Sequence, residues 1–340
     1  MIILMDVSII IINYKSAKLV LDCIESIYRQ QCTQSFEVIV VDNHSEDNCQ
    51  EALMKKFPAV KWLPLTYNAG FARANNAGIS LATGRYVLLL NADTIILENA
   101  IDKSIRLLEK HNDAVGCGVQ LLNPDGSQQI SGAHFITGGL NTLLPLPYFG
   151  RLVRYLGYRF KSKIPSVQNV LEDMEVDWIV GAFMLVKKEA VQKAGLLDND
   201  FFMYAEEIEW CGRLRKFGKL YLFSEPKVIH IGGGTSSDYY GTDENENGKN
   251  LWNRKGRQII VSTMLRIRKQ FGPFWYLFNL GCYVLEVPVF FICLFIEKIF
   301  SVGKSRYTWK DAFQYTLNMI TLLRYFPRML FNKPYFYKVA

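Results

Sequence analysis

Residues 86–94 read YVLLLNADT, an apolar run of strand length that stops at Asn91-Ala92-Asp93. A strand with no polar face must be covered on both sides, which points to a parallel sheet sandwiched between helices. Ligands of such sheets bind in the crevice outside the carboxyl ends of the strands. Asp93 therefore sets a carboxylate where a ligand would sit. A carboxylate there can hold a hard divalent cation, and the cation can hold phosphate.

The flanking sequence supplies the rest of that sheet. Val7–Ile12, Phe36–Val41, Val60–Leu63, Tyr86–Leu90 and Val115–Leu121 read as strands. Helical patterns at Lys18–Gln30, Asn48–Phe57, Gly70–Ala82 and Ala100–His111 separate them. Strands alternating with helices predict an α/β fold with a doubly wound, mostly parallel sheet. After Asn123-Pro124-Asp125-Gly126, a turn, the alternation breaks. Residues 127–175, with Gly138-Gly139, Pro145, Pro147 and Pro165, are expected to form loops that cover a site. Regular structure is expected again at Val176–Val186, Lys188–Ala194, Glu206–Phe217, Lys219–Phe223 and Lys227–His230.

With 340 residues, the chain is one large domain with an appendage, or two domains. Its charge is divided unevenly. Residues 1–248 carry 24 Lys and Arg against 29 Asp and Glu, whereas residues 249–340 carry 15 against 3. A basic tail on a mildly acidic body meets an anionic surface. The centre of that tail, Phe274–Ile296, has one charge, Glu286, and one proline, Pro288. It is long enough to cross a bilayer. Basic residues at both ends, with a central Glu and Pro, fit a bent, re-entrant or interfacial arrangement equally well. Membrane contact accounts for both the charge and the apolar character, and nucleic acid is not expected as a partner. Seven cysteines without a CxxC pair fit reduced thiols in a cytosolic body. The opening MIILMDVSIIIINY reads as a first strand, not a signal peptide.

Two common phosphate cradles are missing. No GxGxxG follows the first strand, which runs into Asn13-Tyr14-Lys15-Ser16, and no GxxxxGK[ST] occurs. A cation is the alternative clamp for a pyrophosphate. Asp42 ends the second strand at the same edge as Asp93. It fits a carboxylate reading a base N–H or a ribose hydroxyl, against the plainer role of opening a helix capped by Asn43, Ser45 or Asp47. Arg73, one turn into a helix of small residues, suits phosphate oxygens or an ion pair with an acidic loop. Glu206, Glu207 and Glu209 follow Phe201-Phe202-Met203-Tyr204-Ala205. Acids favour a helix start, but a partly buried one also makes base chemistry possible. His230 at a strand end is a packed imidazole or a metal ligand.

In this order the elements resemble the family 2 inverting glycosyltransferases with the GT-A fold, nearest the rhamnosyltransferase-like branch that builds bacterial surface polysaccharides. The matching segments are SIIIINY at 8–14, VVDNHSED at 40–47, NAGFARANNAG at 68–78, LLLNADT at 88–94, DWIVGAFMLVKK at 177–188, FFMYAEEIEWCGR at 201–213 and HIGGGTS at 230–236. The resemblance implies a catalytic domain over 1–237, with a nucleotide half to about 122 and an acceptor half beyond it. A linker at 238–258 and a membrane-associating helical tail at 259–340 would follow.

The resemblance also implies roles. Tyr14, Asp42, Asn43, Asn68, Arg73, Asn91, Ala92 and Asp93 would bind the nucleotide sugar. Asp93 and His230 would hold Mg2+ or Mn2+. Glu207, with Glu206 beside it, would be the base. Trp178, Gly181, Ala182 and Trp210 would line the acceptor side. Asn91 replaces the first acid of the usual DxD motif, so the clamp has one charge fewer. The donor would be a nucleotide-diphosphate sugar, L-rhamnose being one candidate. The acceptor would be a glycan or polyprenyl-linked, at the inner face of a bacterial plasma membrane. The alternative is a glycan- or nucleotide-binding scaffold without catalysis.

Overall fold

The computed structural model describes residues 5–134, 140–160, 166–232, 250–300 and 305–339. Two compact units emerge. One comprises Met1–Ile136, Pro165–Phe202 and Glu206–Ser236; the other comprises Thr137–Ile164, Met203–Ala205 and Ser237–Ala340. Gly138-Gly139, Pro165, Gly233-Gly234, the end of the 230–236 motif and positions 238–249 of the expected linker lie outside the described residues.

In the first unit, β1 (Val7–Asn13), β2 (Phe36–Asp42), β3 (Lys61–Pro64) and β4 (Tyr86–Leu90) run parallel in the order β3-β2-β1-β4. Every residue of β4 is buried, as its unbroken apolar run requires. The connecting helices are α1 (Ala17–Tyr28), α2 (Cys49–Lys56) and α3 (Gly70–Leu81). On α1, Val20, Cys23, Ile24 and Ile27 are buried at i, i+3, i+4 and i+7, the stripe a covering helix needs. Beyond β4 come β5 (Thr94–Ile96), α4 (Ala100–Lys110) and β6 (Ala114–Leu122). A separate small sheet joins β7 (Gly132–Ala133), β8 (Ser166–Val167) and β10 (Trp178–Ile179), while β9 (Met174–Val176) pairs with β12 (Lys219–His230). The strand β11 (Phe183–Lys187) lies antiparallel between β4 and β6. The sheet is thus mixed but mostly parallel, with α6 (Lys188–Ala194) and α7 (Glu206–Leu214) completing the unit.

Several local readings differ from the structure, and the run expected at Val176–Val186 is divided among β9, β10 and β11. The two strands expected at 219–223 and 227–230 are one, β12, whose register shifts between Phe223 and Lys227. Pro226 sits in that gap and has no N–H to give a ladder. The short strand β5 has no long apolar run of its own to mark it. Its three residues gain their structure from pairing with Val228–His230. Residues 149–159, expected as loop, are helix α5 (Phe149–Arg159) of the second unit.

The second unit also holds α8 (Arg254–Phe300), α9 (Trp309–Arg324) and α10 (Phe326–Leu330). The helix α8 starts inside the stretch read as a linker. Its break falls at Gly272, where φ is 83° and ψ is −177°, just before Pro273. At Pro288, inside α8, the backbone dihedrals stay helical. Gly272 occupies a region that only glycine tolerates, so the backbone leaves the helix there. Glu286 has a local task. It is fully buried, and its carboxylate accepts the N–H of Tyr148 at 2.7 Å and of Phe149 at 3.0 Å, the opening turn of α5. A carboxylate suits the positive end of a helix, and here it satisfies two otherwise orphan donors. By length and composition α8 is apolar enough to cross a membrane, although 33% of its most apolar window is buried within the protein. Thr308 and Asp311 start α9 with reciprocal caps.

Candidate active site

The sheet register places the first group of candidates. Asn13 pairs with Asp42 across β1 and β2, and Ile11 pairs with Leu90 across β1 and β4. Asp42 and the Asn91–Asp93 turn therefore leave the same carboxyl edge. The Nδ2 of fully buried Asn13 reaches Asp42 at 2.9 Å, Ser45 at 3.0 Å and Asp47 at 3.2 Å. Two hydrogens shared among these acceptors hold the loop after β2. Asn13 thus fixes the Asp42 carboxylate, a role not read from sequence. Its signal was available in the strand-end pairing. Tyr14, half-buried, follows it directly. Of the expected helix caps, Asp47 accepts from Cys49 N at 3.1 Å, whereas Ser45 is taken up by Asn13.

Asn43 and Asn68 are mostly spent on each other. Asn43 Nδ2 donates to Asn68 Oδ1 at 3.1 Å, and Asn43 Oδ1 accepts from Ala69 N at 2.7 Å. Together they clasp the loop that opens α3. Gly70 then turns with φ +74° so close to Phe202 that a Cβ would lie 2.1 Å from its carbonyl oxygen. Phe71 N donates to that oxygen at 2.8 Å. The contact joins the 68–78 motif to the 201–213 motif. Arg73 Nε donates to the Asn199 carbonyl at 2.8 Å.

The acidic helix α7 sorts its carboxylates. Glu206 is 3% exposed, Glu209 is buried and forks onto Arg213 at 2.8 Å, and Glu207 is half-buried. Two consecutive left-handed residues, Tyr204 with φ 72° and Ala205 with φ 67°, precede them. Each carries a cost of roughly 1 kcal/mol for a residue with a Cβ. Gly181 lies against Glu207: a Cβ there would meet Glu207 Cβ at 3.8 Å and the Phe71 ring at 3.6 Å. The next residue, Ala182, is buried and acts through its backbone, its carbonyl accepting from Asn91 N at 3.0 Å. Asn91, Gly181 and Glu207 are thereby drawn together. Trp178 is half-buried in β10. Trp210 differs from its expected place on the acceptor side. It is fully buried, and its indole N–H donates to the Gly195 carbonyl at 2.8 Å. The largest side chain of α7 serves the core and holds the helix from behind.

Asp93 and His230 meet through β5. Thr94 pairs with His230, Ile231 N donates to the Asp93 carbonyl at 2.9 Å, and His230 Nε2 stands 3.5 Å from Asp93 Oδ1. A chain of polar groups sets which nitrogen bears hydrogen. The Ser127 hydroxyl donates to the Asp125 carboxylate at 2.6 Å and holds that carboxyl below its usual range. Ser127 Oγ accepts from Asn123 Nδ2 at 2.8 Å, and Asn123 Oδ1 accepts from Gln129 Nε2 at 2.7 Å. Gln129 Nε2 also donates to the His230 carbonyl at 2.9 Å, so Gln129 Oε1 faces His230 Nδ1, 2.8 Å away. An amide oxygen only accepts, so Nδ1 carries the hydrogen. In the neutral ring, the Nε2 lone pair then faces Asp93. This is the partner geometry of a metal-ligating histidine.

Two donors 3.5 Å apart can share one ion at ~2.1 Å from each. Among the described residues no cluster of three or more such donors exists. The pair fits a cation that keeps its other positions for phosphate oxygens and water. Burial pushes the thiol of nearby Cys23 up to about 12, away from the reactive thiolate. Gln129 and Asn123 were missed in the sequence, since nothing local in the turn marks a partner 101 residues away.

Comparison with known proteins gives the family and the fold. Residues 8–195, more than half of the chain, match the model of glycosyl transferase family 2. An N-acetylglucosaminyl-diphospho-decaprenol L-rhamnosyltransferase of Mycobacterium tuberculosis is 27% identical over 208 residues, 57% of this chain and 66% of that one. The glycosyltransferase GlyG of Streptococcus pneumoniae is 34% identical over 194 residues, 54% of this chain and 57% of its own length. The matches thus span less than two thirds of these relatives. A crystal structure of GalNAc-T7 with UDP, GalNAc and Mn2+ superposes with a TM-score of 0.52 at 14% identity, covering 78% of this chain and 48% of the other, which is a likeness of fold. The fold is GT-A, and the chain belongs to glycosyl transferase family 2.

Proposed function

We propose that this protein is an inverting, metal-dependent sugar transferase using a nucleotide-diphosphate donor. The observation that carries the reading is the Asp93–His230 pair, 3.5 Å apart, on the strand edge that also presents Asp42. Asp42, locked by Asn13, reads the base or ribose, with Tyr14 beside it. Asp93 and His230 would hold Mg2+ or Mn2+, which would supply positive charge to offset that developing on the departing diphosphate. Glu207, the half-buried carboxylate of α7, accepts the proton of the acceptor hydroxyl as that oxygen attacks the anomeric carbon. One displacement inverts that carbon, and no covalent enzyme intermediate is required. Gly181 leaves room beside Glu207 for the acceptor.

The relatives support a finer reading. The mycobacterial relative's name describes rhamnosyl transfer to a lipid-diphosphate sugar, so L-rhamnose and a polyprenyl-linked or glycan acceptor are the first choices. Work at the cytoplasmic face of a bacterial membrane, in surface polysaccharide synthesis, follows from that acceptor and from the basic, apolar residues 259–340. The test is donor turnover with Mn2+, scanning nucleotide sugars. Asp93→Ala and added chelator should abolish it. Glu207→Gln should abolish transfer while donor binding survives. Undiminished turnover in both variants would refute the proposal.

A further inference from the structure

The helix α5 carries its apolar side chains on the outside. Of its 11 residues only Gly150 is buried. Leu152, Tyr155 and Leu156 follow the i, i+3, i+4 spacing of one stripe and are exposed, while Tyr158 and Phe160 stand 77% and 76% exposed. A helix packed in a core points such a stripe inward. This one has no acidic residue and three arginines, Arg151, Arg154 and Arg159.

The helix is nevertheless held firmly. Glu286 caps its first turn, Arg154 Nη1 donates to the Leu144 carbonyl at 2.7 Å, and Arg151 pairs with Glu297 of α8 at 2.6 Å. Gly150 packs so closely that a Cβ would lie 2.4 Å from the Leu144 carbonyl oxygen. An outward apolar stripe on a clamped helix is a surface built for something outside the unit.

We infer that α5 is an in-plane anchor lying in the headgroup layer of an anionic bilayer. Aromatic and leucine side chains would enter the acyl boundary, and arginines would meet lipid phosphates. Charge complementarity selects this occupant. Arg151 is already neutralised by Glu297, but Arg154 and Arg159 are exposed on a helix that has no acid of its own and suit an anionic leaflet, and Tyr side chains favour the wet edge of an apolar layer. The element lies outside residues 259–340, so it adds a second membrane contact. It deepens the membrane part of the proposed function and rests on it.

The test is flotation of the full chain with phosphatidylcholine vesicles, pure or mixed equally with phosphatidylglycerol. The variant Leu152→Ser/Tyr155→Ser/Leu156→Ser should bind the anionic vesicles at least about tenfold less. Arg159→Gln should lose about fivefold on anionic vesicles and nothing on neutral ones. Hydrogen exchange on the unmodified protein provides a check independent of variant folding: amides 149–160 should slow on anionic vesicles. Equal flotation of the triple variant, or unchanged exchange, overturns the inference. A triple variant that changes oligomeric state at undiminished flotation overturns it in favour of a second copy. Donor turnover in solution distinguishes the two failures. Flotation unaffected by the triple variant, with turnover still dependent on Glu207, refutes the anchor alone. Turnover indifferent to Glu207 refutes the transferase reading alone.

Discussion

Replacing Gln129 with Met keeps the length of the side chain and removes all its polar atoms. Three hydrogen bonds go: to His230 Nδ1 at 2.8 Å, to the His230 carbonyl at 2.9 Å and to Asn123 Oδ1 at 2.7 Å. Gln129 is half-buried, so water replaces part of the loss, and the fold should weaken by about 1–2 kcal/mol. The larger effect falls on His230. Without an acceptor at Nδ1, the ring loses the bond that sets its tautomer and rotation. Loss of such an outer partner weakens metal binding by about 10–100-fold, or roughly 1.4–2.7 kcal/mol. Calorimetric titration of Mn2+ in the presence of the nucleoside diphosphate measures this directly. Gln129→Glu is the control. Its carboxylate still accepts from Nδ1 but cannot donate to the His230 carbonyl, so it should keep Mn2+ affinity within about tenfold while losing stability. If Gln129→Met leaves affinity within twofold while Asp93→Ala removes it, Gln129 does not orient the ligand.

Other expectations are as specific. Burial pushes the Glu37 carboxyl up, but Lys61, Ser8 and Thr83 outweigh it and bring it from an ordinary 4.5 down to about 2. A lowered carboxyl stabilises the fold above its ordinary value, and that contribution, roughly 3 kcal/mol, is lost as pH falls from about 4.5 to 2. Acid unfolding of Glu37→Gln should lack this segment of the slope; an identical slope would contradict the assignment. Gly70→Ala forces a Cβ against the Phe202 carbonyl at positive φ and should cost more than about 2 kcal/mol in urea unfolding. Glu286→Gln keeps the size but loses an acceptor for two N–H groups, so α5 should lose protection by hydrogen exchange, with about 2–4 kcal/mol of stability.

What could be read from the chain depended on how local the cause was. The β4 run and the buried stripe of α1 are written in consecutive residues, and both elements formed where their patterns stood. Asp42 and Asp93 were legible because strand ends in a parallel sheet have a common edge. The helix α5 escaped notice because its apolar stripe lies between prolines and glycines, and its cap comes from a residue more than a hundred positions away. Glu286 was legible as an oddity in an apolar stretch, yet its partner is a pair of backbone amides that no side-chain pattern announces. Trp210 shows the converse. Its place in a motif implied the acceptor side, whereas its size and its indole bond to Gly195 put it in the core. The polar chain from Asp125 to His230 depends on which end of each amide faces which neighbour, and that is decided only in three dimensions.

The Glu286 clamp also orders events during synthesis. The acceptor of the α5 amides is encoded 137 residues after Phe149. At about 5–20 residues per second, a ribosome needs roughly 7–30 s to reach it. Throughout that interval the first turn of α5 has no carboxylate to close it, and its apolar stripe has no fixed frame. The nascent second unit is therefore completed last, from two segments far apart in the chain. A chain cut short before Glu286 would present an uncapped, greasy helix to chaperones and proteases, even where the first unit had already folded.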